Sequence, residues 1–180
     1  MRSQEDKVTG LFFNTPKHWH FEELLNKSGL SRPRLAVWLK KFIKQGLIKR
    51  LKPKGKMPYY IGISENPEFR NRKRLFAIKT LTESGLLDHL SSLKKAKVVI
   101  IFGSFSRADW YDDSDIDIFI YGDESNFEYY KYKQKLKREI QIHSAKTKKD
   151  LKKIDKMMPY IISGDFIKGS IEELGVEVNV

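Results

Sequence analysis

The residues best suited to chemistry are two aspartates, Asp115 and Asp117, which follow an apolar run that ends in Gly103 and Ser104. Alternate residues of a β-strand project from the same face, so we expect these two carboxylates to lie side by side. Neighbouring carboxylates repel each other unless a cation joins them, and hard divalent ions such as Mg²⁺ prefer oxygen ligands. The spacing therefore predicts a divalent metal site.

The segment before the aspartates is suited to holding a phosphate group. Residues 97–102 form an apolar run that is typical of a buried strand and leads directly into Gly103. Glycine lets the backbone approach an anion closely, and a helix that begins after it would direct free N–H groups at that anion. No Gly-Lys-Ser/Thr sequence follows, which excludes a P-loop.

This order of features, an apolar strand, Gly-Ser, a short loop and then Asp-Ile-Asp, resembles the DNA polymerase beta superfamily of nucleotidyltransferases. With Arg107 and Ser114 it is similar to the minimal nucleotidyltransferases of archaea and bacteria, over residues 95–180. The resemblance implies a nucleoside triphosphate substrate, which we expect to be ATP, and two Mg²⁺ ions. The residues it assigns to the nucleotide are Gly103, Ser104, Arg107 and Ser114, and those it assigns to the ions include Asp115 and Asp117.

The same resemblance implies a third catalytic carboxylate on a later strand. Glu139 is the only acid in the predicted strand over residues 138–142, so we expect it to be the third metal ligand. Gln141 shares its strand face. If the family's acid belongs at position 141, an amide occupies that place, and nucleotide binding without transfer is the expected result.

The elements around these residues predict an α/β (α+β) domain in which helices cover a small mixed sheet. Strands are expected at residues 97–102, 115–121 and 139–143, and helices at 129–137, 148–157 and 159–174.

Charge is distributed unevenly along the chain. Residues 1–75 contain 18 Lys and Arg against 6 Asp and Glu, whereas residues 76–180 contain 17 of each, so the first part carries the entire net charge of +12. This asymmetry favours a polyanionic partner, nucleic acid before membrane, and a merely solvated basic surface is the alternative. The absence of cysteine excludes disulfides and fits a cytoplasmic protein. No apolar run approaches the roughly 18–20 residues of a membrane span.

The basic part reads as a mostly α-helical domain. Helices are predicted at residues 4–14 and 21–27, followed by a third that Ser31 caps and that ends at Gly46. Apolar residues at helical spacing predict one buried stripe on this third helix, made of Leu35, Trp38, Leu39, Phe42 and Ile43. A hairpin over residues 47–51 and 59–63, with a cationic turn, completes a pattern that resembles a winged helix-turn-helix domain.

We therefore predict a winged helix-turn-helix domain at residues 1–65, a connecting helix at 66–94 and a minimal nucleotidyltransferase domain at 95–180. Duplex DNA is the expected partner of the first domain, and a homodimer would match a palindromic site. The residues expected to contact DNA are Arg32, Arg34, Lys41, Lys44, Lys54 and Lys56.

The predicted reaction transfers a nucleoside monophosphate to an acceptor hydroxyl. That acceptor could be a protein side chain, an RNA end or a small molecule, and a partner protein could supply it. The rival hypothesis is a DNA-binding regulator, or an antitoxin-like module, whose second domain only senses nucleotide.

Overall fold

The computed structural model describes residues 3–175. The chain divides into two compact units after Phe76. The division falls within a helix, Pro67–Ser84, and not at the edge of one. No helix in residues 3–175 is long and apolar enough to cross a lipid bilayer.

The first unit contains three helices and a hairpin. The helices are α1 (Gln4–Asn14), α2 (Phe21–Ser28) and α3 (Arg32–Lys44), and the strands are β1 (Ile48–Leu51) and β2 (Tyr59–Gly62). The two strands are antiparallel, with Leu51 opposite Tyr59. An isolated bridge between Trp19 and Tyr60 adds a short third segment to the hairpin. Helix α4 (Pro67–Ser84) follows.

Helix α3 buries a narrower stripe than its sequence predicts. Leu35, Leu39 and Phe42 are buried, whereas Trp38 is only half-buried and Ile43 is 40% exposed. The prediction that all five belong to the core was wrong for these last two, because at about 100° per residue they lie at the edges of the apolar stripe. The predicted cap was also wrong in detail: Ser31 occupies the N-cap position, but its side chain forms no capping hydrogen bond.

The second unit is built around a four-stranded sheet. Its strands are β3 (Ala96–Phe102), β4 (Ile116–Gly122), β5 (Ile140–Ala145) and β6 (Asp165–Lys168), in the order β5-β4-β3-β6. Strands β4 and β5 are parallel, and the other two pairings are antiparallel, so the sheet is mixed as predicted. The helices are α5 (Leu86–Ser92), α6 (Ser104–Arg107), α7 (Tyr129–Leu136), α8 (Lys148–Lys153) and α9 (Met158–Ile162), with 3₁₀ turns at Asp155–Met157 and Glu172–Leu174.

The predicted helix over residues 159–174 was wrong. Helix α9 ends at Ile162, and the chain then returns as β6, an edge strand paired with β3. Gly164 permits this return, because a Cβ atom there would lie 2.5 Å from the carbonyl oxygen of Ile101. The predicted helix over 148–157 is likewise two pieces, and Gly85, at φ 78°, separates α4 from α5.

The sheet is buried on both faces. One face packs against α8 and α9, through a cluster that includes Ile100, Phe119 and Ile161. Ile116, Ile118 and Ile120 of β4 belong to the other face by strand alternation, and all three are fully buried. Asp117 lies on the same face as Phe119, two residues nearer the start of the strand, so this carboxylate lies where the apolar core ends.

Candidate active site

Two backbone elements bring the predicted aspartates together. Asp115 directly precedes β4, and Asp117 is its second residue. Strand alternation places both on one face, and the antiparallel register sets Asp117 opposite Phe102, the last residue of β3. The end of β3 and the start of β4 therefore meet at one edge of the sheet.

Gly103 follows β3 directly and packs against Asp117 at this edge of the sheet. Its backbone has φ 73° and ψ −142°, a conformation that side-chain-bearing residues rarely adopt. A Cβ atom at this position would lie 2.2 Å from Oδ2 of Asp117. Only glycine therefore allows the turn and the carboxylate to occupy their places together.

The environment of Asp117 disfavours its negative charge. Burial raises the pKa of Asp117 above its ordinary value, and the neighbouring charge of Asp115 raises it further. His143 and Arg107 act in the opposite direction. A half-buried carboxylate beside a second one is stabilised by a cation, and oxygen donors of this kind fit a hard divalent ion.

Strand β5 supplies two polar neighbours. Gln141 lies opposite Asp117 in the parallel register, and its side-chain amide donates a hydrogen bond to Oδ2 of Asp115. Nε2 of His143 lies 3.9 Å from Oδ1 of Asp117. His143 was not among the predicted site residues, although its place two positions after Gln141 puts it on the same strand face.

Glu139, the predicted third ligand, directly precedes β5 and is engaged elsewhere. Its carboxylate accepts a hydrogen bond from the hydroxyl of Tyr129 at 2.9 Å and pairs with Nζ of Lys133 at 2.6 Å, both on α7. The contact with Lys133, followed by that with Tyr129, lowers the pKa of Glu139. Within residues 3–175, no three His, Asp or Glu side chains are grouped so as to hold a metal ion.

The residues expected to bind phosphate lie around the same edge. Ser104 begins α6, a single helical turn. Nε of Arg107 pairs with Asp109 at 3.0 Å. The hydroxyl of Ser114 accepts a hydrogen bond from the backbone N–H of Tyr111 at 2.8 Å. Ser114 thus also shapes the loop that leads into Asp115.

An open cleft of about 450 Å³ adjoins Asp115. Residues of the loop before β4 form one side, and the end of α7 with the start of β5 forms the other. Its lining carries both signs of charge and consists of Asp112, Asp113, Ser114, Asp115, Lys133, Gln134, Lys137, Arg138 and Glu139.

The cations predicted to contact DNA belong to the first unit and differ in their partners. Arg32 forms two hydrogen bonds of 2.7 Å with Glu22, and Lys41 lies 3.4 Å from Glu5. The other four are exposed and form no ion pair with any residue in 3–175; they are Arg34, Lys44, Lys54 and Lys56. Lys40 lies on the same exposed face of α3 and was not predicted.

Comparison with known proteins agrees with the geometry of the second unit. Residues 86–170 match the family model described as Polymerase beta, Nucleotidyltransferase. No significant match was found among curated proteins or among solved structures. The mixed sheet fits the nucleotidyltransferase fold, and nucleotidyl transfer is the general function that this match supports. The match therefore supports a nucleotidyltransferase domain of the DNA polymerase beta-like superfamily at residues 86–170.

Proposed function

We propose that the second unit transfers a nucleoside monophosphate from a nucleoside triphosphate, which we expect to be ATP, to an acceptor hydroxyl. The observation that carries this proposal is the contact between the Gly103 turn and Asp117, with Asp115 on the same face. In the reaction, the acceptor hydroxyl loses its proton to solvent and its oxygen bonds to the α-phosphorus. The bond between the α-phosphorus and the bridging oxygen to the β-phosphate breaks, and pyrophosphate leaves.

The predicted residues divide between binding the triphosphate and binding the metal ions. The backbone at Gly103 and Ser104 holds the triphosphate, and the guanidinium of Arg107 supplies positive charge close to it. Asp115, Asp117 and Glu139 would hold the Mg²⁺ ions. When bound, such ions activate the acceptor hydroxyl and neutralise the charge of the leaving pyrophosphate.

The role of Glu139 requires a change of partner. Its backbone carbonyl accepts the N–H of Ile116 at 3.0 Å, so Glu139 flanks Asp115 across the strand pair. We propose that its side chain exchanges Lys133 and Tyr129 for the metal. Glu139 is exposed and these two partners are partly exposed, so we expect the exchange to need only side-chain rotation.

The cleft beside Asp115 is the route we propose for the acceptor. It opens next to the carboxylates and is lined by both acids and lysines. A lining of mixed charge suits a polypeptide segment that carries the acceptor hydroxyl, which is consistent with a partner protein as acceptor.

A second function is favoured by one observation at the same site. The amide of Gln141 donates a hydrogen bond to Asp115 at the place where a third acid could lie, and the carboxylate of Glu139 is paired with Lys133 of α7. A site with two carboxylates could bind nucleotide without transferring it. The chain would then be a DNA-binding regulator whose second unit senses nucleotide, or an antitoxin-like module.

Calorimetry and pyrophosphate release together test these functions. The protein is mixed with Mg²⁺ and each of the four triphosphates, and the double variant Asp115→Asn, Asp117→Asn is compared with Asp113→Asn, which removes one charge from the same cleft. Metal-dependent binding with pyrophosphate release, lost only in the double variant, supports the enzyme. Binding without release, with peptide acceptors supplied, supports the sensor. No binding contradicts both.

For the first unit we propose duplex DNA binding through α3 and the hairpin, in the manner of a winged helix domain. The observation that supports this is the exposed face of α3, on which Arg34, Lys40 and Lys44 lie without carboxylate partners among residues 3–175. Affinity should fall steeply with salt because phosphate contacts release counterions. Absence of binding at low salt would contradict the proposal, and binding as a dimer would fit a palindromic site.

A further inference from the structure

The loop between α6 and β4 has to deliver Asp115 to a fixed place, yet it contains no regular hydrogen-bonded structure beyond turns. Its backbone carbonyls need donors, and an irregular loop without them would be mobile. One side chain from outside the loop, Arg138, supplies several of these donors. Arg138 lies immediately before Glu139, at the entrance to β5.

The guanidinium of Arg138 contacts the loop along most of its length. Its Nη1 donates to the carbonyl oxygens of Tyr111, Asp112 and Ser114, the last at 2.9 Å. Ser114 is the residue directly before Asp115. The Arg138 side chain is only 11% exposed, so its charge is taken largely out of water. Burying a cation is unfavourable unless its donors find partners, and the three carbonyls provide partners for Nη1.

Two aromatic rings hold the guanidinium from another side. The rings of Phe105 and Trp110 stack at 5.3 Å between centroids, and the Arg138 guanidinium carbon lies 5.2 and 5.3 Å from them. Phe105 belongs to α6, which follows Gly103 directly, and Trp110 belongs to the loop. The guanidinium of Arg138, a residue at the start of β5, therefore contacts both the loop and α6, the helix that follows the Gly103 turn.

We propose that Arg138 is a positioning residue that fixes Asp115 relative to the Gly103 turn, and so sets the affinity of the site for a divalent ion. It acts through the loop and touches no reacting atom. Lysine cannot replace it, because an ammonium lacks the planar guanidinium that lies against both rings while one of its nitrogens reaches the carbonyls. The inference rests on the proposed function, since it assumes that Asp115 binds metal.

Arg138→Lys keeps the charge and tests the geometry. The probe is Mn²⁺ alone, measured by electron paramagnetic resonance, together with amide hydrogen exchange of the loop and the thermal midpoint. We expect Mn²⁺ affinity to fall by about 10- to 100-fold, as for other residues that orient ligands. Exchange over residues 109–116 should rise, while exchange in β3 and the thermal midpoint change little. Lys137→Gln, which lines the same cleft, should leave loop exchange unchanged.

Phe105→Leu removes one of the two rings that contact the Arg138 guanidinium and leaves its hydrogen bonds to the loop in place. It provides a second variant if Arg138→Lys does not fold. It should lower Mn²⁺ affinity to a smaller extent. Wild-type affinity in either folded variant overturns the role of Arg138 while leaving the proposed function standing. Failure of the wild-type protein to bind Mn²⁺ or ATP overturns the proposed function and, with it, the role of Arg138.

Discussion

The two units of this chain use charge in opposite ways. In the first unit the charged groups of interest are exposed cations on a helix face and hairpin, most of which form no ion pair with any residue in 3–175. In the second unit they are carboxylates at the end of an apolar sheet, and each contacts another element: Asp117 lies against Gly103, and Asp115 accepts a hydrogen bond from Gln141. Exposed cations can shift position without losing their electrostatic effect, whereas two adjacent carboxylates at the edge of a core depend on the positions of the atoms packed around them.

This difference indicates which substitutions each unit should tolerate. A long-range electrostatic surface loses function in proportion to the charge removed, because each phosphate contact contributes separately. A metal site loses function when a single supporting atom is misplaced, since ligands must be held within narrow limits. The following substitutions test that contrast, beginning with the largest expected effect.

Gly103→Ala should abolish metal-dependent ATP binding. The added Cβ would lie 2.2 Å from Oδ2 of Asp117, so the turn and the carboxylate can no longer coexist. The combination of φ 73° and ψ −142° lies in a region that is nearly restricted to glycine, so alanine there should also lower the free energy of unfolding by about 1 to 3 kcal/mol. Calorimetry with Mg²⁺ and ATP measures the first effect, and chemical denaturation the second.

Gly85→Ala is the matched control, because Gly85 also has a positive φ, of 78°, but a Cβ there would meet no atom within 4 Å. It should lower stability without affecting ATP binding. Equal effects of the two variants on binding would show that Gly103 does not have the specific role assigned to it.

Gln141→Glu should raise affinity for Mg²⁺ by about tenfold, a typical scale for changes around a metal site. A third carboxylate beside Asp115 adds an oxygen donor, but without metal it adds repulsion. The thermal midpoint should therefore fall in EDTA and recover with Mg²⁺. Glu139→Gln should lower Mg²⁺ affinity by a similar factor. If Gln141→Glu leaves the metal dependence unchanged, position 141 does not belong to the metal site.

Single cation losses in the first unit should have graded effects on DNA affinity. Lys44→Ala should reduce the slope of log affinity against log salt by about one, the value for one phosphate contact. Arg32→Ala should change the slope less, because Arg32 already binds Glu22. Fluorescence anisotropy over a salt series measures both. A larger effect from Arg32 than from Lys44 would place the DNA surface elsewhere.

The smallest expected effect concerns pH and helix α8. Hydrogen bonds from Thr147, then from Lys153, lower the pKa of Asp150 to about 2 from 3.8. A lowered folded-state pKa contributes stability above pH 3.8 that is lost as pH falls through about 2. Thermal midpoints between pH 5 and 2 should therefore fall more in the wild type than in Asp150→Asn. Thr147→Ala should reduce the pH dependence in the same direction, and identical slopes in all three proteins would contradict this.

The local chemistry of the site was predictable from the sequence. Alternation places Asp115 and Asp117 on one face, and a glycine after an apolar strand signals a turn without a side chain. The three N-terminal helices and the hairpin lie where apolar spacing and turn residues predict them. These properties depend on neighbours a few positions away, so they can be read along the chain.

Residues 159–174 show where that local information ends. Their apolar pattern suits a helix, yet β6 forms because the edge of β3 offers hydrogen-bond partners to a strand. The strand forms in place of the helix because of a pairing between Ile101 and Asp165, which lie more than 60 residues apart in sequence. Propensity is a weak prior that such tertiary contacts override.

The sequence by itself determined the pair of carboxylates, the glycine beside them and the basic character of the first 75 residues. Only the tertiary structure decided that Gln141 lies beside Asp117, that Glu139 is held by α7, and that Arg138 clamps the loop. The reason is that strand register and side-chain partners depend on long-range packing, whereas residue type, alternation and backbone sterics act locally.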